Sequence, residues 1–451
     1  MQHVRILNVI LLVGSCLTAF SAAAAPPKTV MEDYVREPMP AGFQVFMTEL
    51  DGPVFADATG HTLYKWPPNN LRNGDAGEQA GKPGCYDVHY RETVGFTSPY
   101  PAGRELPNAD HRPTCIQHWP PVLAGADAKP IGKWTILDRT DGSKQWAYKG
   151  AALYTSHLDH APGEAYGGNK RAWDLVSSGA QRVPVSPAPA IPSQFSIMKG
   201  TLGRLLADAK GYSVYTFDRD TPTKSNCTGS CLEEWEPIRA PEFAVSQGEW
   251  AVIKSATGAS QWAYRGKLLY THITDSARKS YEGSDVPGWH NVFVQPAPAY
   301  PKGFQVADTV AGQVIADSRG NTIYFYSCNE DTPDTLYCDT PDAPQEYRWA
   351  MCGGGDPARC LKTFPYVIAD KSIKGEGTTW HTRDIDPMSG RYVAAGTPGS
   401  LHVWTYRDRP IYTYVDDHEL GDINADAWGQ DHGNRNGFKA FWLRDDFNHN
   451  D

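Results

Sequence analysis

The chain has no basic excess. Lys and Arg number 42 against 52 Asp and Glu, a formal charge of −10 at pH 7. No basic stripe supplies the counter-charge that a phosphate backbone needs, so nucleic acid is not an expected partner. After the N-terminus no apolar run is long enough to cross a bilayer, and no transmembrane span is expected in the mature chain. Signatures of chemistry are missing too: there is no nucleophile elbow, Walker loop, Rossmann fingerprint or C-x-x-C-H haem attachment. What the chain has in quantity is aromatic residues (14 Trp, 23 Tyr), 42 Gly and 35 Pro. That composition favours short strands joined by tight turns.

The one long apolar run, Ile6 to Phe20, follows Arg5 and ends in the small residues Ser21 to Ala25. It reads as an export signal, residues 1–25, with the mature chain starting at Pro26. Val13-Gly-Ser-Cys16 also resembles a lipobox, which would leave Cys16 as a lipid-bearing first residue. Export places the protein in the periplasm or outside the cell, an oxidising setting. Setting Cys16 aside leaves eight cysteines: Cys85, Cys115, Cys227, Cys231, Cys328, Cys338, Cys352 and Cys360. An even set in such a compartment reads as disulfides.

Internal repeats dominate the sequence. Asp57-Ala-Thr-Gly60-His-Thr-Leu-Tyr64, Asp208-Ala-Lys-Gly211-Tyr-Ser-Val-Tyr215 and Asp317-Ser-Arg-Gly320-Asn-Thr-Ile-Tyr324 are one hairpin written three times. The Asp opens the turn and the Gly closes it at positive φ. Downstream of each, Cys115-x-x-x-Trp119, Cys231-x-x-x-Trp235 and Cys360-x-x-x-Phe364 align. Aligning these cysteines gives the expected bridges Cys85–Cys115, Cys227–Cys231 and Cys352–Cys360, with Cys328–Cys338 left over; four cysteines in the third copy allow three connectivities. Three tandem β-rich modules follow, at 40–182, 193–294 and 302–446. Pro/Ala stretches at 183–192 and 295–301 separate them as semi-rigid linkers. Modules 1 and 3 carry insertions, at about 70–112, at 328–360 and around 421–436.

Each module is a pair of half-repeats sharing a Tyr, a usually aromatic residue two further on, and an Asp or Asn three beyond that. The six copies are Tyr64/Trp66/Asn69, Tyr154/Ser156/Asp159, Tyr215/Phe217/Asp220, Tyr270/His272/Asp275, Tyr324/Tyr326/Asn329 and Tyr412/Tyr414/Asp417. On a strand the first two share a face. This signature, with the D-x-x-G hairpin before it and C-x-x-x-W after it, resembles the bacterial secreted-repeat lipoproteins known by the Y-x-[FWY]-x-x-D motif. The resemblance implies export and a small β-rich unit, and no activity. The expected fold is all-β, in three modules of two half-repeats each. A single six-bladed propeller is the alternative.

Recurrence in every half-repeat favours a structural role for the triplets, a buried Tyr hydroxyl bonded by an acid. Candidate metal ligands are His89, His111 and His118, grouped with Cys85 and Cys115, and Asp422, Asn424 and Asp426, which have the spacing of a calcium loop. Asp384 and Asp386 are a close acidic pair of the kind a glycosidase uses. With no catalytic signature, the leading reading is a non-enzymatic exported protein that binds a small ligand or an envelope protein through its inserted loops. A metal-handling or redox accessory protein is the alternative, and a hydrolase the third reading.

Overall fold

The computed structural model describes residues 31–65, 81–87, 114–167, 181–254, 259–275, 282–327, 345–373, 375, 377–429 and 437–445. The fold is all-β. Among the described residues the strands pair antiparallel in separate sheets of two to seven strands, none closed into a barrel, with only short helices between them. No sheet mixes strands from the three repeat segments: each draws only on residues 44–182, 195–296 or 305–445. Half-repeats, by contrast, share sheets. Tyr324–Ser327 from one half pairs with Arg409–Tyr412 from the other inside the seven-stranded sheet. Six independent blades are therefore not what forms.

The D-x-x-G turns are built as their residues dictate. Asp57 Oδ1 accepts the N–H of Thr59 and His61 at 2.9 and 3.0 Å. Asp208 does the same for Lys210 and Tyr212, and Asp317 for Arg319 and Asn321. Gly60, Gly211 and Gly320 close these turns at φ +94°, +93° and +91°, where a Cβ would be strained.

A strand period of two then splits each module into two cores. Every motif tyrosine follows an aliphatic residue, and the two point into different clusters. Leu63 and Leu153 pack with Trp134 and Trp146, whereas Tyr64 and Tyr154 pack with Trp119 and the Cys85–Cys115 pair. Val214 and Leu269 sit with Trp250 and Trp262, Tyr215 and Tyr270 with Trp235 and Cys227. Ile323 and Ile411 join Trp380 and Trp404, Tyr324 and Tyr412 join Phe364, Cys352 and Cys360. Burying each aromatic contributes about 2–3 kcal/mol.

The Pro/Ala stretches are less free than a linker composition suggests. Val183 and Val185 alternate into the first module's core, and the Val183 carbonyl accepts the Phe55 N–H at 3.0 Å. Gln295 and Pro296 end the strand Phe293–Pro296. Apolar residues in alternation make the start of the first stretch a sheet edge, and in the second the buried Gln295 ends an edge strand, before proline takes over.

Candidate functional site

Within each module the two motif tyrosines lie directly opposite one another: Tyr64 with Tyr154, Tyr215 with Tyr270, Tyr324 with Tyr412. Their hydroxyls reach past the local acid to the acid of the other half-repeat. Tyr64 donates to Asp159 Oδ2 at 2.7 Å, Tyr215 to Asp275 Oδ2 at 2.9 Å, Tyr270 to Asp220 Oδ2 at 2.6 Å and Tyr324 to Asp417 Oδ2 at 2.7 Å. The second carboxylate oxygen holds the loop that follows. Asp159 Oδ1 accepts the Tyr166 N–H, Asp220 Oδ1 that of Asn226 and Asp417 Oδ1 that of Asn424. Asp159, Asp220 and Asp417 thus each tie one half-repeat's tyrosine to the other's loop, while both oxygens of Asp275 face the Tyr215 hydroxyl.

Burial sets the electrostatics of these pairs. It pushes the Asp159 carboxyl up to about 6, against the pull of the Tyr64 hydroxyl and the Tyr166 N–H. Asp220 and Asp417 are raised by the same desolvation. The hydroxyls of Tyr215, Tyr270 and Tyr324 are driven well above their ordinary range, first by burial and then by the adjacent carboxylates. A phenol that keeps its proton and an acid that accepts it make a framework bond.

The remaining motif residues follow the same plan. Phe217 stacks on Trp289 at 4.4 Å, and Trp289 on Trp235 at 3.6 Å. Tyr326 and Tyr414 pack with Phe438 and Phe364. Ser156 accepts the Leu158 N–H, and His272 Nδ1 lies 2.8 Å from the Thr274 hydroxyl. In the last half-repeat the partner of Tyr412 is the buried Arg348 guanidinium, which donates to it at 2.9 Å and to Tyr366 at 3.1 Å. Trp66, Asn69 and Asn329 lie outside the described residues.

Among the described residues three disulfides join Cys85 to Cys115, Cys227 to Cys231 and Cys352 to Cys360. The second cysteine of each lies on a short helix, α1 (Cys115–His118), α2 (Cys231–Glu234) and, after α3 (Glu346–Gly353), α4 (Pro357–Thr363). Each of these three helices ends by setting its aromatic edge-on to a motif tyrosine: Trp119 on Tyr64, Trp235 on Tyr215, Phe364 on Tyr324. Cys328 and Cys338 lie outside the described residues, as do His89 and His111. His118 is buried against His157, ring centroids 4.7 Å apart.

The acidic loop of module 3 is spent on backbone. Asp422 Oδ2 accepts the N–H of His418 and Glu419 at 2.8 and 2.9 Å. Asp426 takes the Ala440 N–H and the Trp442 indole, and the Asn424 amide donates to the Asp416 carbonyl. Glu164 makes the same turn in module 1, accepting the N–H of Ala161 at 2.9 Å and that of His160. The loop is thus a repeat feature with an acid as its cap. Among the described residues no three His, Cys, Asp or Glu side chains converge as a metal set. Asp384 pairs with His402 at 2.5 Å and accepts the Gly396 N–H, and Asp386 caps the turn at Met388 and Ser389.

Sequence reasoning missed the place where the modules meet. The hairpin tip 48–52 of module 1 enters the other two. Gln295, at the start of the stretch that follows module 2, clamps it, donating to the Thr48 carbonyl at 2.6 Å and accepting the Gly52 N–H at 3.0 Å. Glu49 accepts the N–H of Thr378 and Thr379 of module 3 at 3.0 and 2.7 Å. At the centre Asp51 is buried among three cations: Arg182 at 3.2 Å, Lys199 of module 2 at 3.1 Å and Arg407 of module 3 at 2.9 Å. Burial raises its carboxyl, but the three cations outweigh that and hold it far below the usual range. A shallow cleft beside it is lined by Thr48, Glu49, Asp51, Tyr166, Thr379 and Arg407, among others. The signals lay in departures from the repeat. Asp51 stands where the other tips have Leu202 and Ala311. Arg407-Asp408 turns at φ +50° and +58° where the earlier modules use Lys149-Gly150 and Arg265-Gly266.

A family model described as a secreted repeat of unknown function matches residues 135–177 and 196–239. The chain carries that secreted repeat. The two matches fall in the second half of module 1 and the first half of module 2, so the secreted repeat corresponds to one half-repeat. Searches of curated proteins and of solved structures each gave no match. The protein is accordingly an exported repeat protein, and no helix among its described residues is long and apolar enough to cross a membrane.

Proposed function

We propose that this exported chain works by binding, holding a small ligand or an envelope protein on a fixed three-module scaffold, and that it catalyses no reaction. One observation carries the reading. The acids that recur through the sequence are consumed internally, by the tyrosine hydroxyls of the opposite half-repeat and by loop N–H groups. They build a frame, and a repeated frame with unequal insertions presents its specificity in those insertions. The modules run at 40–182, 193–294 and 302–446, after an export signal at 1–25. The inserted segments near 70–112 and 328–360 are the contact elements. Lipidation at Cys16 would keep the protein at a membrane surface.

The test replaces residues 70–112 by a short Gly/Ser linker and compares this variant with the full chain by crosslinking in the native envelope, then with the purified partner. A partner held by the full chain and lost from the folded variant is the expected result. A turnover activity abolished by Asp384→Asn in a folded protein would sink the reading. Native mass against denatured mass reports any bound metal. The mass of the mature protein distinguishes a lipid on Cys16 from cleavage after Ala25.

A further inference from the structure

Among the described residues, the second module's disulfide differs from the other two in three respects. It closes the shortest loop: Cys227 and Cys231 are 4 residues apart, against 30 for Cys85–Cys115 and 8 for Cys352–Cys360. Its second cysteine comes to the surface. Cys115 and Cys360 are each 1 % exposed, whereas Cys231 is only partly buried and residues 228–230 and 232–234 around it are exposed. It also has an apolar rim. Leu232 is 49 % and Ile273 60 % exposed, and the Ile273 N–H, bonded to the Glu234 carbonyl at 3.0 Å, holds Ile273 beside α2. At the position of Leu232 the other modules have Ile116 and Leu361, which pack against their cores.

A four-residue loop removes little entropy from the unfolded chain, so this bridge contributes least to the fold and opens with least loss. Exchange further requires that a thiolate reach a sulfur. Two exposed aliphatic side chains, Leu232 next to Cys231 in the chain and Ile273 tied to the end of α2, suit the docking of another protein.

We propose that Cys227–Cys231 is a redox-active site that exchanges with the dithiol of an exported thiol–disulfide oxidoreductase docked on Leu232 and Ile273. A thiolate of the partner attacks the Cys231 sulfur. The partner–Cys231 bond forms as the Cys227–Cys231 bond breaks, and Cys227 leaves as a thiolate that takes a proton from solvent. The partner's second thiolate attacks its own sulfur in the mixed disulfide and releases Cys231, which is protonated in turn. Two electrons and two protons pass to this chain, and the partner ends as a disulfide. Ser225, which accepts the Cys227 N–H at 3.2 Å, sets its hydroxyl 2.8 Å from that of Tyr270, so a change of redox state at Cys227 lies next to a motif tyrosine.

The experiment exposes the intact, folded chain to reduced thioredoxin and, separately, to dithiothreitol. Free thiols are trapped by alkylation and located by peptide mass. Cys227 and Cys231 should be alkylated at least tenfold faster than Cys85, Cys115, Cys352 and Cys360. The double substitution Leu232→Glu with Ile273→Glu should slow thioredoxin at least tenfold and leave the dithiothreitol rate unchanged. Opening of all the bridges together, or only on unfolding, overturns the site. A double variant that slows both reagents equally, or neither, overturns the docking surface.

Discussion

Asp159→Asn isolates the cost of keeping a carboxyl inside a module. In the folded chain this acid is buried and titrates at about 6, against 3.8 for the free group. The difference, about 2 units, corresponds to about 3 kcal/mol at about 1.4 kcal/mol per unit. The folded value is raised, so the folded state binds the proton more tightly than the unfolded chain does. The stabilisation is complete well below 3.8 and is lost as pH rises from there through about 6. Asparagine does not titrate, so the wild-type minus variant difference in unfolding free energy should fall by about 3 kcal/mol between about pH 3 and 7. Guanidinium unfolding followed by tryptophan fluorescence, at constant ionic strength and with disulfides intact, measures that difference at each pH. A flat difference would refute the reasoning. A rising one would mean that the Tyr64 hydroxyl and Arg182 govern the carboxyl more than burial does.

Asp51→Ala should cost about 3–5 kcal/mol, since it leaves three cations facing one another at the junction. Calorimetry should then resolve module transitions that the wild-type chain merges. Tyr324→Phe removes the donor to Asp417 and should destabilise by about 1.5–3 kcal/mol in denaturant titrations, whereas Tyr414→Phe, whose hydroxyl meets the exposed Asp416, should change stability by less than about 0.5 kcal/mol. Gly211→Ala, at φ +93°, should cost about 1 kcal/mol or more by the same assay, because alanine at that turn is strained.

Much of this structure was legible in local spacing. D-x-x-G before an alternating run specifies a turn and its strands, and those residues contact one another. Three of the cysteine pairs were legible because alignment of the copies puts Cys115, Cys231 and Cys360 at one position. The exchange of tyrosines and acids was not, because the motif writes each Tyr five residues before its own Asp and the bond skips to the other half. Asp51 was still less visible. Beside Gly52 in a tight turn it reads as a turn residue, and its partners lie 148 and 356 positions away. Asp422, Asn424 and Asp426 carry a metal-like spacing, yet a carboxylate that caps a loop has the same sequence requirement as one that binds a cation.

The exchanged bonds also bear on how such a chain can be shortened or extended. Tyr64 reaches its carboxylate 95 residues later and Tyr324 93 residues later. Neither half can be completed while the other is still inside the exporting machinery. A chain that stops between two halves leaves a tyrosine with no acceptor and a sheet with a bare edge, and both invite proteolysis or pairing with another chain. The secreted-repeat match covers one half-repeat, half of the unit within which tyrosines and acids are exchanged, so proteins built from it should gain and lose their repeats in pairs.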